Sequence, residues 1–202
     1  RLSSFIMNVH PIFSSPICEI DIKEDLTRLN SIKDYKFINT TSTGSSNSFN
    51  TENLSVLDKF PQEKANLFFH FLKYKNEVLK FNSTEFRITT SWGTKTLPNG
   101  YSQFHNHTNS VYSCVFYFDD VSGGNIEFTT TNNSFQLNAP SEVNILNLRN
   151  FFITPRKNLL LIFPSYLLHR VAENNSEQTR YSLAFNIFPT GSIFAGDSSI
   201  TL

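Results

Sequence analysis

The chain has 202 residues, with 17 basic and 17 acidic side chains and therefore no formal net charge. That balance, free of any basic or acidic block, gives no sign of an extended nucleic-acid footprint, and no apolar run reaches the length of a membrane span. The length suits one domain able to bury a core, and 21 phenylalanines make that core aromatic.

Taken in chain order, residues 8–22 mix apolar side chains with Pro11 and Pro16, the pattern of an edge strand or two short strands. Residues 23–36 suit a short helix. The stretch "NTTSTGSSNSFNTEN", 39–53, is polar and turn-rich, which predicts a loop with the composition of a mobile lid. Pro61 to Lys80 is the convincing helix: Pro61 fits a first turn, Glu63 follows it, and Leu67, Phe68, Phe71, Leu72 and Leu79 fall near helical spacing. His70 on this helix, like His10, reads as an ordinary partly exposed histidine. From Thr84 the pattern turns to strands, predicted at 84–92, 103–107, 111–118, 125–130, 143–153, 158–163, 168–172 and 179–188. Turn residues at 98–100, 122–124, 132–133 and 174–175 punctuate them. Eight short strands so spaced predict a sandwich or barrel rather than a βαβ sheet.

Cys18 and Cys114 stand far apart and do not form a disulfide framework. Cys114 sits within an apolar strand pattern and reads as a buried free thiol. With no charged-then-apolar leader at the start, the expected compartment is the cytoplasm.

The chemistry concentrates in "QFHNHTNSVYSCVFYFDD", residues 103–120. On a strand, His105 and His107 project to one side about 7 Å apart and can converge on one ion. A third ligand must come from elsewhere, and His169 in "IFPSYLLHRV" is the candidate. Neutral imidazoles suit Fe, Zn, Cu or Ni; three unrelated histidines are the alternative. In "TRYSLAFNIF", Arg180, Ser182, Ala184 and Asn186 point one way and Tyr181, Leu183, Phe185 and Ile187 the other. An arginine turned into a pocket needs an anion; its planar fork fits a carboxylate, with Ser182 adding a hydrogen bond. A surface arginine paired with Glu173 or Glu177 is the alternative. A metal triad followed by an Arg-x-Ser carboxylate grip is the order that an Fe(II)/2-oxoglutarate site requires.

These motifs resemble the Fe(II)/2-oxoglutarate-dependent oxygenase superfamily, and within it a group common in phages and marine bacteria. "HNHTNSVYSCVFYF", "IFPSYLLHRV" and "RYSLAFNIF" carry the likeness over about residues 84–188, and "YFDDVSGGNIEF" resembles the paired-glycine stretch of prolyl hydroxylases. The resemblance implies a mainly β fold, a double-stranded β-helix (jelly roll) with one or more N-terminal helices packed on it. It implies one domain over 1–202: an N-terminal support at 1–83, the jelly-roll core at 84–188 and a tail at 189–202. It implies Fe(II) held by His105, His107 and His169, 2-oxoglutarate gripped by Arg180 and Ser182, and O2 as the oxidant. The activity implied is hydroxylation of a small molecule or peptide, in a host cytoplasm if the gene is a phage's. Ser113 and Tyr117 line the pocket if the register continues from His107. The loops at 39–53 and 93–104 are candidate substrate walls, and Trp92 reads first as core and second as a wall.

The superfamily norm at the second ligand is a carboxylate; His107 occupies that place here. Asp119, Asp120 and Glu127 are the alternative carboxylates, none at the required spacing. Two rival functions remain: a cupin-like metal protein without 2-oxoglutarate chemistry, and a non-catalytic binding or structural module. Cupins place a Glu soon after His-x-His, where this chain has Thr108 to Tyr112.

Overall fold

A computed structural model describes residues 13–40, 45–81, 83–119, 123–130 and 139–202. His10, Asp120 and the turn at 132–133 lie outside the described residues. In chain order the elements are β1 (Cys18–Asp21), β2 (Phe37–Asn39), β3 (Ser46–Thr51), α1 (Pro61–Glu77), β4 (Glu85–Tyr101), β5 (Tyr112–Tyr117), β6 (Ile126–Thr129), β7 (Asn150–Ile153), β8 (Leu159–Pro164), β9 (Leu168–Val171), β10 (Arg180–Thr190), β11 (Ser192–Ile193) and β12 (Ile200–Thr201). Thr27–Asp34 and Val56–Lys59 are 3₁₀ helices.

The strands form a jelly roll. A seven-stranded sheet in the order β1-β8-β5-β10-β4-β3-β2 faces a three-stranded sheet, β7-β6-β9, and every ladder is antiparallel. The two faces of the large sheet have different tasks. From β5, β8 and β10 one face sends Tyr112, Cys114, Phe116, Leu160, Ile162, Leu183, Phe185 and Ile187 into a core shared with α1 and the 3₁₀ helices. The opposite face carries Tyr117, Leu159, Leu161 and Phe163 against Ile126, Phe128 and Ile153 of the small sheet. Burial on both faces explains why β8 reads as an unbroken apolar run, "LLLIFP".

Helix α1 follows its sequence signals closely. Pro61 starts it without a side-chain cap, Leu67 and Phe71 are fully buried, and Phe68, Leu72 and Leu79 pack beside them. The helix stops at Glu77, short of the predicted Lys80. Lys80 takes a left-handed φ of 62°, and the Lys75 ammonium donates to the carbonyls of Phe81 (2.6 Å) and Thr84 (2.9 Å), tying down the exit. His70 Nε2 lies 3.0 Å from Glu24 Oε1 and is half-buried, as an ordinary helix histidine. Cys114 is a buried free thiol.

Six expectations need correction. The polar stretch 39–53 is not a loop throughout: it contributes the end of β2 and all of β3. Its strand survives because its side chains bond across to β4. Thr94 Oγ1 donates to Asn50 Oδ1 (3.2 Å), and the Gly93 N–H donates to Thr51 Oγ1 (3.1 Å). Residues 23–36 form a 3₁₀ helix over Thr27–Asp34, not an α-helix. The stretch 93–104 is strand rather than loop as far as Tyr101, and Pro98-Asn99-Gly100 within it is not a turn but the end of β4; Thr96 is the last residue paired with β10, so no ladder bond is demanded of Pro98 there. Residues 103–107 reduce to one bridge, His105 with His169. Only Asn150–Ile153 of the predicted 143–153 is a strand, because Asn144 and Asn147 fold the preceding segment through side-chain-to-backbone bonds.

Candidate active site

His105 and His169 are brought together by backbone. Each N–H donates to the other's carbonyl at 2.9 Å, and the His107 N–H donates to the Ser165 carbonyl at 3.0 Å. The two histidines far apart in the chain are thus paired neighbours. Their ring centroids lie 4.5 Å apart, and the His107 ring is 5.3 Å from His105 and 5.2 Å from His169. One ligand nitrogen from each of the three rings lies within 4.8 Å of the other two. Asp119 instead pairs with Lys33 (2.9 Å) and Glu127 with Arg170 (2.6 Å), so neither carboxylate joins the cluster.

The imidazole tautomers follow from the hydrogen bonds. Nδ1 of His105 meets the Gln103 carbonyl at 2.8 Å, and Nδ1 of His169 meets the Leu167 carbonyl at 2.8 Å. A carbonyl only accepts, so Nδ1 carries the proton and Nε2 keeps its lone pair. Burial pushes His169 down to about 3, with His105 adding to the effect, and burial with His105 nearby pushes His107 down to about 4. Both rings are neutral at pH 7, the form that binds a metal. The donor set fits a divalent Fe, Ni, Zn or Cu ion.

The cluster opens into a cavity of about 420 Å³, and part of its wall is β10, through Arg180, Ser182 and Ala184. Arg180 is 2 % exposed. Its Nη1 donates to the Gly124 carbonyl and, at 3.4 Å, to that of Gly123, while its Nε has no partner. Its guanidinium lies 5.9 Å from the Tyr117 ring centre. No carboxylate pairs with it among the described residues, so the Glu173 or Glu177 alternative falls. Burial pushes its pKa down. A desolvated cation without a counter-ion is costly, and this one faces a cavity.

The remaining site residues divide. Tyr117 lines the cavity and Val115 lines it beside Tyr117, whereas Ser113, on the same face of β5, is absent from the lining. Ser113 is buried in a hydroxyl–amide network with Ser165 (2.8 Å) and Asn186 (3.0 Å). Trp92 lines the cavity, its ring 5.9 Å from that of His107, so its place is the wall rather than the core. Asn50 and Thr94 add polar wall from the segments expected to supply it. The role of Gly124 is legible only in three dimensions. At φ 66° a Cβ there would stand 2.8 Å from Arg180 Nη1, so the glycine lets its own carbonyl reach the guanidinium.

Residues 90–186 match the model of a family described as "Putative 2OG-Fe(II) oxygenase". That segment is therefore similar to the 2OG-Fe(II) oxygenases. It spans β4 to β10 and contains all three histidines, Arg180 and Ser182. No curated protein matches the sequence. Solved structures do. A prolyl-4-hydroxylase from Pseudomonas putida is 14 % identical with a TM-score of 0.58, over 88 % of this chain and 95 % of its own. A prolyl hydroxylase from Trichoplax adhaerens, in complex with a peptide fragment of the hypoxia inducible factor oxygen degradation domain, is 13 % identical with a TM-score of 0.61, over 85 % and 83 %. HygX from Streptomyces hygroscopicus, with nickel, 2-oxoglutarate and hygromycin B bound, is 10 % identical with a TM-score of 0.60, over 87 % and 84 %. At those identities the likeness is one of fold, and the sequence likeness to 2OG-Fe(II) oxygenases rests on residues 90–186.

Proposed function

We propose that this chain is an Fe(II)/2-oxoglutarate-dependent dioxygenase that hydroxylates a C–H bond of a small molecule or a peptide. The observation that carries the reading is Arg180: a guanidinium buried to 2 % exposure, with Nε unpaired, on the wall of the cavity that the three imidazoles enter. His105, His107 and His169 would hold the iron through their unprotonated nitrogens. Arg180, with the hydroxyl of Ser182, would hold the far carboxylate of 2-oxoglutarate and so fix the keto-acid end toward the histidines. The cofactors, when bound with O2, supply oxidative decarboxylation to succinate and CO2 coupled to hydroxylation. Tyr117 and Val115 would shield the co-substrate from water, and Trp92, Asn50 and Thr94 would face the substrate. Ser113 would act one step back, steadying the floor of the site through Ser165, whose carbonyl holds the His107 backbone. Free Cys18 and Cys114 support a reducing compartment, the cytoplasm, and the core shared by α1, the 3₁₀ helices and the large sheet supports a single domain. No described helix is long and apolar enough to cross a membrane.

The test is anaerobic loading with Fe(II), then addition of O2 and 2-oxoglutarate with candidate substrates, with succinate measured. Succinate should form in the wild type and drop at least about 100-fold in Arg180→Met, the order of effect of removing a buried electrostatic anchor. A protein that binds Mn(II) yet neither makes succinate nor gains melting temperature from 2-oxoglutarate refutes the reading.

A further inference from the structure

We infer that this cavity takes a second anion, singly charged, in addition to the co-substrate, and that His107 is the residue that creates the demand for it. The inference rests on the proposed function above. Its ground is a count of charge. Among the described residues that line the cavity, Arg180 alone carries a charge; the others are hydroxyls, amides, apolar groups and imidazoles. The usual iron site of this chemistry has two histidines and one carboxylate. There a divalent ion, one carboxylate, a dianionic co-substrate and one arginine sum to zero. Here the third ligand is an imidazole, which binds as the neutral form. The same sum leaves one positive charge.

The alternative carboxylates among the described residues do not supply the missing negative charge. Asp119 is committed to Lys33 at 2.9 Å and Glu127 to Arg170 at 2.6 Å, and neither lines the cavity. The wall is also partly apolar, with Trp92, Val115, Ile126 and Val171 in it, so bulk water screens the excess charge poorly. Such a site attracts a monoanion. Its source is either a carboxylate carried by the organic substrate or a small inorganic anion, and the two share one electrostatic requirement. Hydroxyl and amide donors on the β3–β4 side, among them Asn50 Nδ2 and the Thr90 hydroxyl, stand ready to orient it.

Co(II)-loaded protein with 2-oxoglutarate bound provides the test, because the visible spectrum of the ion reports anions near it without turnover. Chloride, azide and acetate are titrated into the wild type and into His107→Asp, which restores the carboxylate. Binding of at least one anion about tenfold tighter to the wild type supports the inference, the size expected from one unit of charge at close range. Tighter binding of acetate than of chloride and azide identifies an acidic substrate, and the reverse order an inorganic ion. Equal affinity in the two proteins, or no spectral response in a wild type that has bound both Co(II) and 2-oxoglutarate, overturns the inference while leaving the proposed function intact. Failure to bind Co(II) at all overturns both. If His107→Asp does not fold, metal-free wild type replaces it as the reference. Azide binding there, followed by isothermal calorimetry and equal to that of the loaded protein, overturns the inference.

Discussion

The environments of Arg180 and of the pair His107 and His169 make opposite demands. Arg180 is charged and buried, and Gly124 exists to let its carbonyl reach that charge. Gly124→Ala places a methyl carbon 2.8 Å from Nη1 on a backbone at φ 66°, so the guanidinium must move. The expected outcome is at least about tenfold weaker 2-oxoglutarate binding by calorimetry with Mn(II), with the folded β spectrum kept; unchanged affinity would show that the carbonyl does not aim Arg180. The histidines make the reverse demand, to stay neutral. His169 and His107 are held down to about 3 and about 4, while in the unfolded chain each sits near 6.5. Between those values the unfolded chain takes up protons that the folded chain refuses. Stability is therefore full above about pH 6.5 and falls as pH drops toward 4, by roughly 1–2 kcal/mol per ring at pH 5. Urea midpoints of metal-free protein at pH 7.5 and pH 5 check this, and a flat profile would contradict it.

Elements differ in how openly the sequence states them. Helix α1 and strand β10 announce themselves through apolar periodicity and β5 and β8 through apolar runs, and β10 even separates its Arg180–Ser182–Ala184 face. Phe71→Ala in α1, at a fully buried position packed on Phe86 and Tyr112, should cost about 3–5 kcal/mol in chemical denaturation. Strand β3 was hidden because its stability comes from hydroxyl and amide bonds to β4, which hydropathy does not record. The place of Trp92 is hidden for a related reason. Its face is decided by pairing with Ala184 across the β4–β10 ladder, and cross-strand register is not written in either strand alone. Another close approach was equally silent: Gly93 leaves room for Ile32 of the first 3₁₀ helix, whose Cγ2 would be 2.5 Å from an added Cβ. Gly93→Ala should lower the melting temperature through that clash, by about 1–3 kcal/mol of stability, without touching 2-oxoglutarate affinity.

At the scale of the whole molecule, the jelly roll solves the problem of bringing distant chemistry to one point. The large sheet turns one face to the helical core and gives the other to the cavity. The ligand set then arrives from the β5 approach and from β9, while the arginine arrives on β10. Mn(II) and 2-oxoglutarate together should raise the melting temperature by more than the sum of their separate effects, since each neutralises charge that the other faces; strict additivity in thermal scans would count against a shared cavity. The mutual backbone bonds of His105 and His169 add something further. They join two of the three candidate ligands in the middle of a short backbone zipper, between the Ser102–Val171 and His107–Ser165 bonds. An ion seated there would latch two remote stretches of polypeptide, and its removal would free them as a pair. Amide hydrogens at 105 and 169 should then exchange with solvent together, slowly when loaded and faster by a common factor when stripped.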